Sequence, residues 1–122
     1  MNRIHATAGA LSGLVAVAAG AFGAHALRGR LTPDMLQVFE TGARYQMYHA
    51  LALLLAAYVC GVPPRPTGVW AGRLFLTGTV LFSGSLYAVA LTGISSFGAV
   101  TPLGGIAFLA GWICLALAAR RG

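Results

Sequence analysis

The chain has 122 residues, of which 58% are hydrophobic and 8% charged, with a net charge of +6 carried by eight Lys+Arg against two Asp+Glu. Soluble domains carry about a quarter charged residues, so this chain lacks the charge to solvate a globular surface. A cytosolic enzyme, a nucleic-acid-binding domain with its dense basic face and a disordered tail are excluded, leaving an integral membrane protein.

In chain order, four stretches reach the roughly 20 apolar residues needed to cross about 30 Å of hydrocarbon. They are residues 4–27, 45–62, 70–91 and 102–119, and together they form a single membrane domain over residues 1–122. The first follows Arg3 and ends in Ala24-His25-Ala26, which has the look of a signal-peptide cleavage site. The stretch is longer than a signal core, however, and carries Gly9, Gly13, Ala16, Gly20 and Ala24 at spacings of three to four. Such a stripe lets helices approach closely in lipid and points to a retained, packed span. The same stripe is a candidate contact either within the chain or between copies.

The segment between the first two spans is amphipathic. Thr32 is placed to cap a helix with Pro33 at its first position and Asp34 at its positive end, while Met35, Leu36, Phe39 and Ala43 share one face. Glu40 and Arg44 stand at i,i+4. The expected fold is an all-α four-helix bundle in the membrane, with a short interfacial helix bending or running into the second span. Residues 61–68 hold three prolines and an arginine and read as an extended connector. Residues 92–101 are uncharged, rich in Gly and Ser, and read as a loop.

Arginine counts set orientation. Arg3, Arg65, Arg73, Arg120 and Arg121 fall on one side, against Arg28, Arg30 and Arg44 on the other, which predicts both termini in the cytoplasm. Trp70, beside Arg73, reads as an interfacial anchor, and Trp112 as a core or lipid-facing residue. Cys60 and Cys114 fit no metal or redox spacing and read as small apolar side chains.

Polar residues within the spans are the candidates for function. His5 and His25 lie at opposite ends of the first span, so they share no site. Tyr45, Gln46 and His49 open the second span. Ser83, Ser85 and Tyr87 lie in the outer half of the third and are able to face them. Two readings stay open for this set: hydrogen-bonded glue between helices, or a ligand or proton site. No carboxylate lies within a span and no serine sits in a nucleophile-elbow context, so no catalytic constellation is present. Two histidines, His25 and His49, are too few to argue a haem or metal site, and no cofactor is expected.

Four stretches carry a resemblance: GAFGAHAL (20–27), ARYQMYHALALL (43–54), FSGSLYAVALTG (82–93) and TPLGGIAFLAGW (101–112). The chain resembles the domain of unknown function 423 family, the YgdD/YwdK-like small bacterial inner-membrane proteins, over nearly its whole length. One departure is Ala26, where the family pattern has glycine. The resemblance implies a four-helix membrane protein and places His25, Tyr45, Gln46, His49, Ser83, Ser85, Tyr87 and Pro102 in recurring motifs, but it supplies no reaction. The functional expectation is a polar pocket near the outer leaflet that binds or moves a small molecule or lipid. The alternative is a non-catalytic structural or accessory subunit. Expected partners are membrane lipids, with a homo-oligomer or larger membrane complex as the possible assembly and no nucleic acid.

Overall fold

The structure is a computed structural model and describes residues 1–60 and 65–120. Residues 61–64 of the expected proline connector, and Arg121 of the orientation count, lie outside the described residues. The fold is four helices: α1, Arg3–Leu27; α2, Pro33–Val59; α3, Pro66–Thr92; and α4, Thr101–Arg120. α1, α3 and α4 are long and apolar enough to cross a membrane. α2 is less apolar because Arg44, Gln46 and His49 interrupt it.

Local chemistry sets the helix ends. The Asn2 side chain accepts from the His5 backbone N–H at 3.0 Å, and the Thr32 hydroxyl accepts from Met35 N–H at 3.2 Å with Pro33 following it, which satisfies N–H groups that have no partner inside the helix. The amphipathic segment from Pro33 is the first part of α2, which runs unbroken to Val59. Nothing between Thr41 and Tyr45 breaks the i→i−4 ladder, and a buried Phe39 and Ala43 continue the face that packs inside the bundle. Gly93 closes α3 at φ +73°, a left-handed conformation that glycine adopts without penalty. The expected loop that follows contains one short 3-10 turn at Ser95–Ala99.

Two helices contain a π-helical turn, at Ala18–Gly23 in α1 and Thr79–Ser83 in α3. A π turn inserts one residue and re-aims the side chains beyond it. In α3 it lies where the Thr79 hydroxyl bonds back to Phe75 O at 2.8 Å.

α2 is the central helix, packed against α1, α3 and α4. Glycines set how closely each pair approaches. A Cβ at Gly9 would stand 2.9 Å from Ala50 O, while Gly13 and Gly20 face Ala50 and Ala43 of α2; outside the stripe, a Cβ at Gly23 would stand 2.7 Å from Phe39 Cζ. The small-residue stripe of α1 therefore serves packing within the chain. Gly104 and Gly111 do the same between α4 and α3, meeting Phe82 and Phe75. The apolar core is Ala52, Leu53, Ala56, Ala71, Phe75, Phe108 and Leu115. Cys60 belongs to the buried set and Cys114 packs at its edge. At the end of the bundle that carries the termini, the Arg65 guanidinium donates to Ala118 O at 2.8 Å, fastening the start of α3 to the last turn of α4. Arg73 lies over the exposed Trp70 ring, 5.1 Å from its centroid.

Candidate functional site

Three separate links, through Gln46, the Gly42 carbonyl and His49, tie α2 to the other helices. Gln46 is buried, and its amide nitrogen donates to Ser12 O at 3.2 Å and Ser12 Oγ at 3.3 Å, while its carbonyl accepts from the Tyr87 hydroxyl at 2.6 Å. One amide thus joins α1, α2 and α3. One turn earlier, the Ser83 hydroxyl donates to Gly42 O at 2.7 Å. Beside that contact Tyr87 also approaches Gly42 closely, where a Cβ would stand 3.0 Å from the Tyr87 ring. Ser85 faces α4 instead, its hydroxyl 2.5 Å from the Thr101 hydroxyl.

His49 makes the third link. Its Nδ1 lies 2.7 Å from Tyr45 O and its Nε2 accepts from the Trp112 indole N–H at 3.1 Å. A carbonyl only accepts and an indole only donates, so this pattern requires the neutral imidazole with its proton on Nδ1, leaving both ring nitrogens occupied. The ring stacks on Phe108 with centroids 3.5 Å apart and 6° between planes. The metal or haem ligand considered for His49 would have to break the Trp112 bond. Among the described residues no group of three His, Cys, Asp or Glu is placed to hold a metal ion.

His25 does not join this cluster. It is exposed near the end of α1, just past Gly23, which packs at the level of Phe39. Ten residues of α2 separate that level from His49, a separation of about 15 Å along the helix. His5 lies at the other end, buried with its ring against Gly72 and its Nδ1 without a hydrogen-bond partner among the described residues.

Beside the His49 link a cleft of about 640 Å³ opens between α2 and α4, lined by Tyr45, Tyr48, His49, Phe82, Pro102, Gly105, Ile106, Phe108, Leu109 and Trp112. Its size falls in the range of small-molecule sites, about 300–1,000 Å³. Of the candidate residues, Tyr45 and His49 line it; Gln46, Ser83, Ser85 and Tyr87 are turned to the helix contacts and His25 lies apart. Most of the wall, including Tyr48, Phe82, Phe108 and Trp112, lies outside the residues that the sequence assigned to the site. The aromatic contacts Tyr45–Phe82, at 4.9 Å, and Phe82–Phe108, at 5.4 Å, place Phe82 there by way of the π turn. Only the coincidence of that turn with the Gly104–Phe82 contact selects it, and neither is visible in a linear pattern.

Across α2 a second groove is lined by Ala16, Gly20, Glu40, Ala43, Arg44 and Met47. Arg44, although next to Tyr45 in sequence, therefore faces α1 and not the aromatic cleft.

The model of the family described as a protein of unknown function (DUF423) matches residues 19–105. The UPF0382 membrane protein YwdK of Bacillus subtilis (strain 168) is 47% identical over 117 residues, covering 93% of each chain. A UPF0382 membrane protein of Staphylococcus aureus (strain bovine RF122 / ET3-1) is 46% identical over 110 residues, covering 90% of this chain and 89% of its own. One from Staphylococcus epidermidis (strain ATCC 12228 / FDA PCI 1200) is 43% identical over 113 residues, covering 93% and 92%. No solved structure matches. With the family model spanning well over half its length and relatives this similar end to end, the chain belongs to the DUF423 family of membrane proteins.

Proposed function

We propose that this protein is a four-span bacterial inner-membrane protein, both termini cytoplasmic, that holds a membrane-soluble ligand in the aromatic cleft between α2 and α4. The carrying observation is the cleft itself: about 640 Å³ of space walled by Tyr45, Tyr48, Phe82, Phe108 and Trp112, on helices pinned to one another by Gln46 and His49. His49, stacked on Phe108 and bonded to Trp112, holds that part of the wall in place before binding, which reduces the entropy lost on binding. The polar residues serve as its frame. With no carboxylate among the residues lining the cleft and both His49 nitrogens occupied, a binding role fits the site better than catalysis.

Native mass spectrometry of the protein extracted from its own membranes tests this. The wild-type protein is expected to retain a bound molecule that Gly105→Leu loses, because a Cβ at Gly105 has its nearest neighbour 4.0 Å away and a leucine there projects into the cleft without breaking the helix contact. Equal retention by both proteins removes the reading.

The accessory-subunit alternative draws support from α1, which is largely unburied by the rest of the chain, leaving Leu11, Leu14, Val15 and Val17 exposed. Co-purification with a defined partner in mild detergent, lost on placing Asn at Leu14, would favour it.

A further inference from the structure

We infer that the ligand of the α2/α4 cleft is an uncharged lipid diester of the diacylglycerol type, and that a phospholipid is not the preferred occupant. This rests on the reading of the cleft as a binding site and names what it takes.

Charge is the first ground. None of the ten residues lining the cleft is charged, and the hydrogen-bond pattern requires His49 to be neutral. The arginine nearest in sequence, Arg44, lines the opposite groove together with Glu40. A phosphate drawn into the cleft would meet no cation and would lose hydration without replacement, which is costly in a medium of low dielectric.

Depth is the second. The lining runs along α4 from Pro102 to Trp112, about 15 Å down from the start of a helix whose 20 residues span about 30 Å. The cleft therefore reaches to the middle of the hydrocarbon, where an acyl chain is at home and a charged head group is not.

The donors are the third. Tyr45 and Tyr48 have partly exposed rings with centroids 5.5 Å apart, and neither hydroxyl has a hydrogen-bond partner among the described residues. Tyr45 contributes only its backbone carbonyl to the His49 link. An unpaired hydroxyl facing lipid gains from any acceptor. Two unpaired donors lining one cleft suit a ligand that carries carbonyl acceptors, as a glycerol diester does. The Trp112 N–H is already given to His49, so the tyrosines are the polar selectors.

Trp112 reports on the cleft directly. In Trp70→Phe protein, reconstituted into phosphatidylcholine nanodiscs, Trp112 is the remaining tryptophan. Its fluorescence is titrated with diacylglycerol, phosphatidylglycerol or phosphatidylcholine, each carrying bromine on the acyl chain as quencher. The expected result is saturable quenching by the diacylglycerol, with a half-point at a mole fraction at least about threefold lower than for either phospholipid. Tyr45→Phe with Tyr48→Phe keeps both rings and is expected to raise that half-point by at least about threefold, leaving the phospholipid curves in place.

Saturable quenching with no preference, or with preference for phosphatidylglycerol, overturns the uncharged-diester assignment while sparing the binding site. Quenching that rises linearly with every brominated lipid and is unchanged by Gly105→Leu overturns the binding site itself. Absence of quenching by all three, with cysteine crosslinks between copies at Ile106, means that a second chain fills the cleft and overturns both.

Discussion

The indole N–H of Trp112 in α4 donates to Nε2 of His49 in α2 across 3.1 Å, and this bond fixes the tautomer, the ring plane and the wall of the cleft together. The imidazole is held between the Tyr45 carbonyl and the indole while its face rests on Phe108. A histidine in this setting is a structural pin between α2 and α4, its buried ring set into the wall of the cleft.

Trp112→Phe removes the donor and leaves Nε2 unpaired. Interhelical hydrogen bonds in membranes contribute about 0.6 kcal/mol on average and about 1.7 at most, so a destabilisation within that range is expected. Unfolding in mixed detergent, followed by circular dichroism, measures it. His49→Ala is expected to lose more, because the stacking on Phe108 goes as well.

Gln46→Leu breaks the bonds to Ser12 and Tyr87 at once. Combined with Tyr87→Phe it should be less than additive, since both substitutions remove the 2.6 Å bond. A double-mutant cycle is expected to return a coupling of about 0.5–2 kcal/mol. Additivity would mean that the two side chains do not interact.

Glycine substitutions should separate by what a methyl group meets. At Gly104 a new Cβ would be 2.4 Å from the Phe82 backbone nitrogen, whereas at Gly84 nothing lies within 4 Å. Gly104→Ala forces α3 and α4 apart and should cost about 2 kcal/mol or more. Gly84→Ala should be neutral or stabilising by up to about 1 kcal/mol. Thermal midpoints of the two variants in the same detergent provide the comparison.

His25→Ala is expected to change neither stability nor quenching of Trp112 by brominated lipid. The residue is exposed and lies along the bundle from the cleft. A lost or shifted quenching curve would bring it into the site.

Orientation is tested by single cysteines in a background with Cys60 and Cys114 replaced. Cysteines at Arg30 and Ser96 are expected to react with an impermeant maleimide added to intact spheroplasts, while one at Asn2 reacts only after lysis. The arginines at the terminal end should make that end cytoplasmic. Moving three of them to the other end is expected to scramble the labelling.

Composition alone placed this chain in lipid, because ten charged residues cannot hydrate a surface for 122. Apolar length marked four helical stretches, and Thr32-Pro33 marked the start of α2, since caps and prolines act within one turn. The residues His25, Tyr45, Gln46, His49, Ser83, Ser85 and Tyr87 were legible as polar side chains in apolar stretches, but His25 lies apart and only Tyr45 and His49 line the cleft. Which partner each takes was not legible. The pairing of Gln46 with Ser12 and Tyr87, and of His49 with Trp112, depends on the rotation and register of whole helices. In lipid the buried and exposed faces are both apolar, so the hydropathy pattern that fixes rotation in a soluble bundle is missing. The Gly9 to Gly20 stripe showed the same ambiguity, equally suited to a second copy and to α2, until Ala50 and Ala43 of α2 were found against Gly9, Gly13 and Gly20. Phe82 and Trp112 belong to the cleft for a tertiary reason alone. A π turn in α3 and the glycine contacts of α4 set their directions, and those are matters of shape that close packing decides.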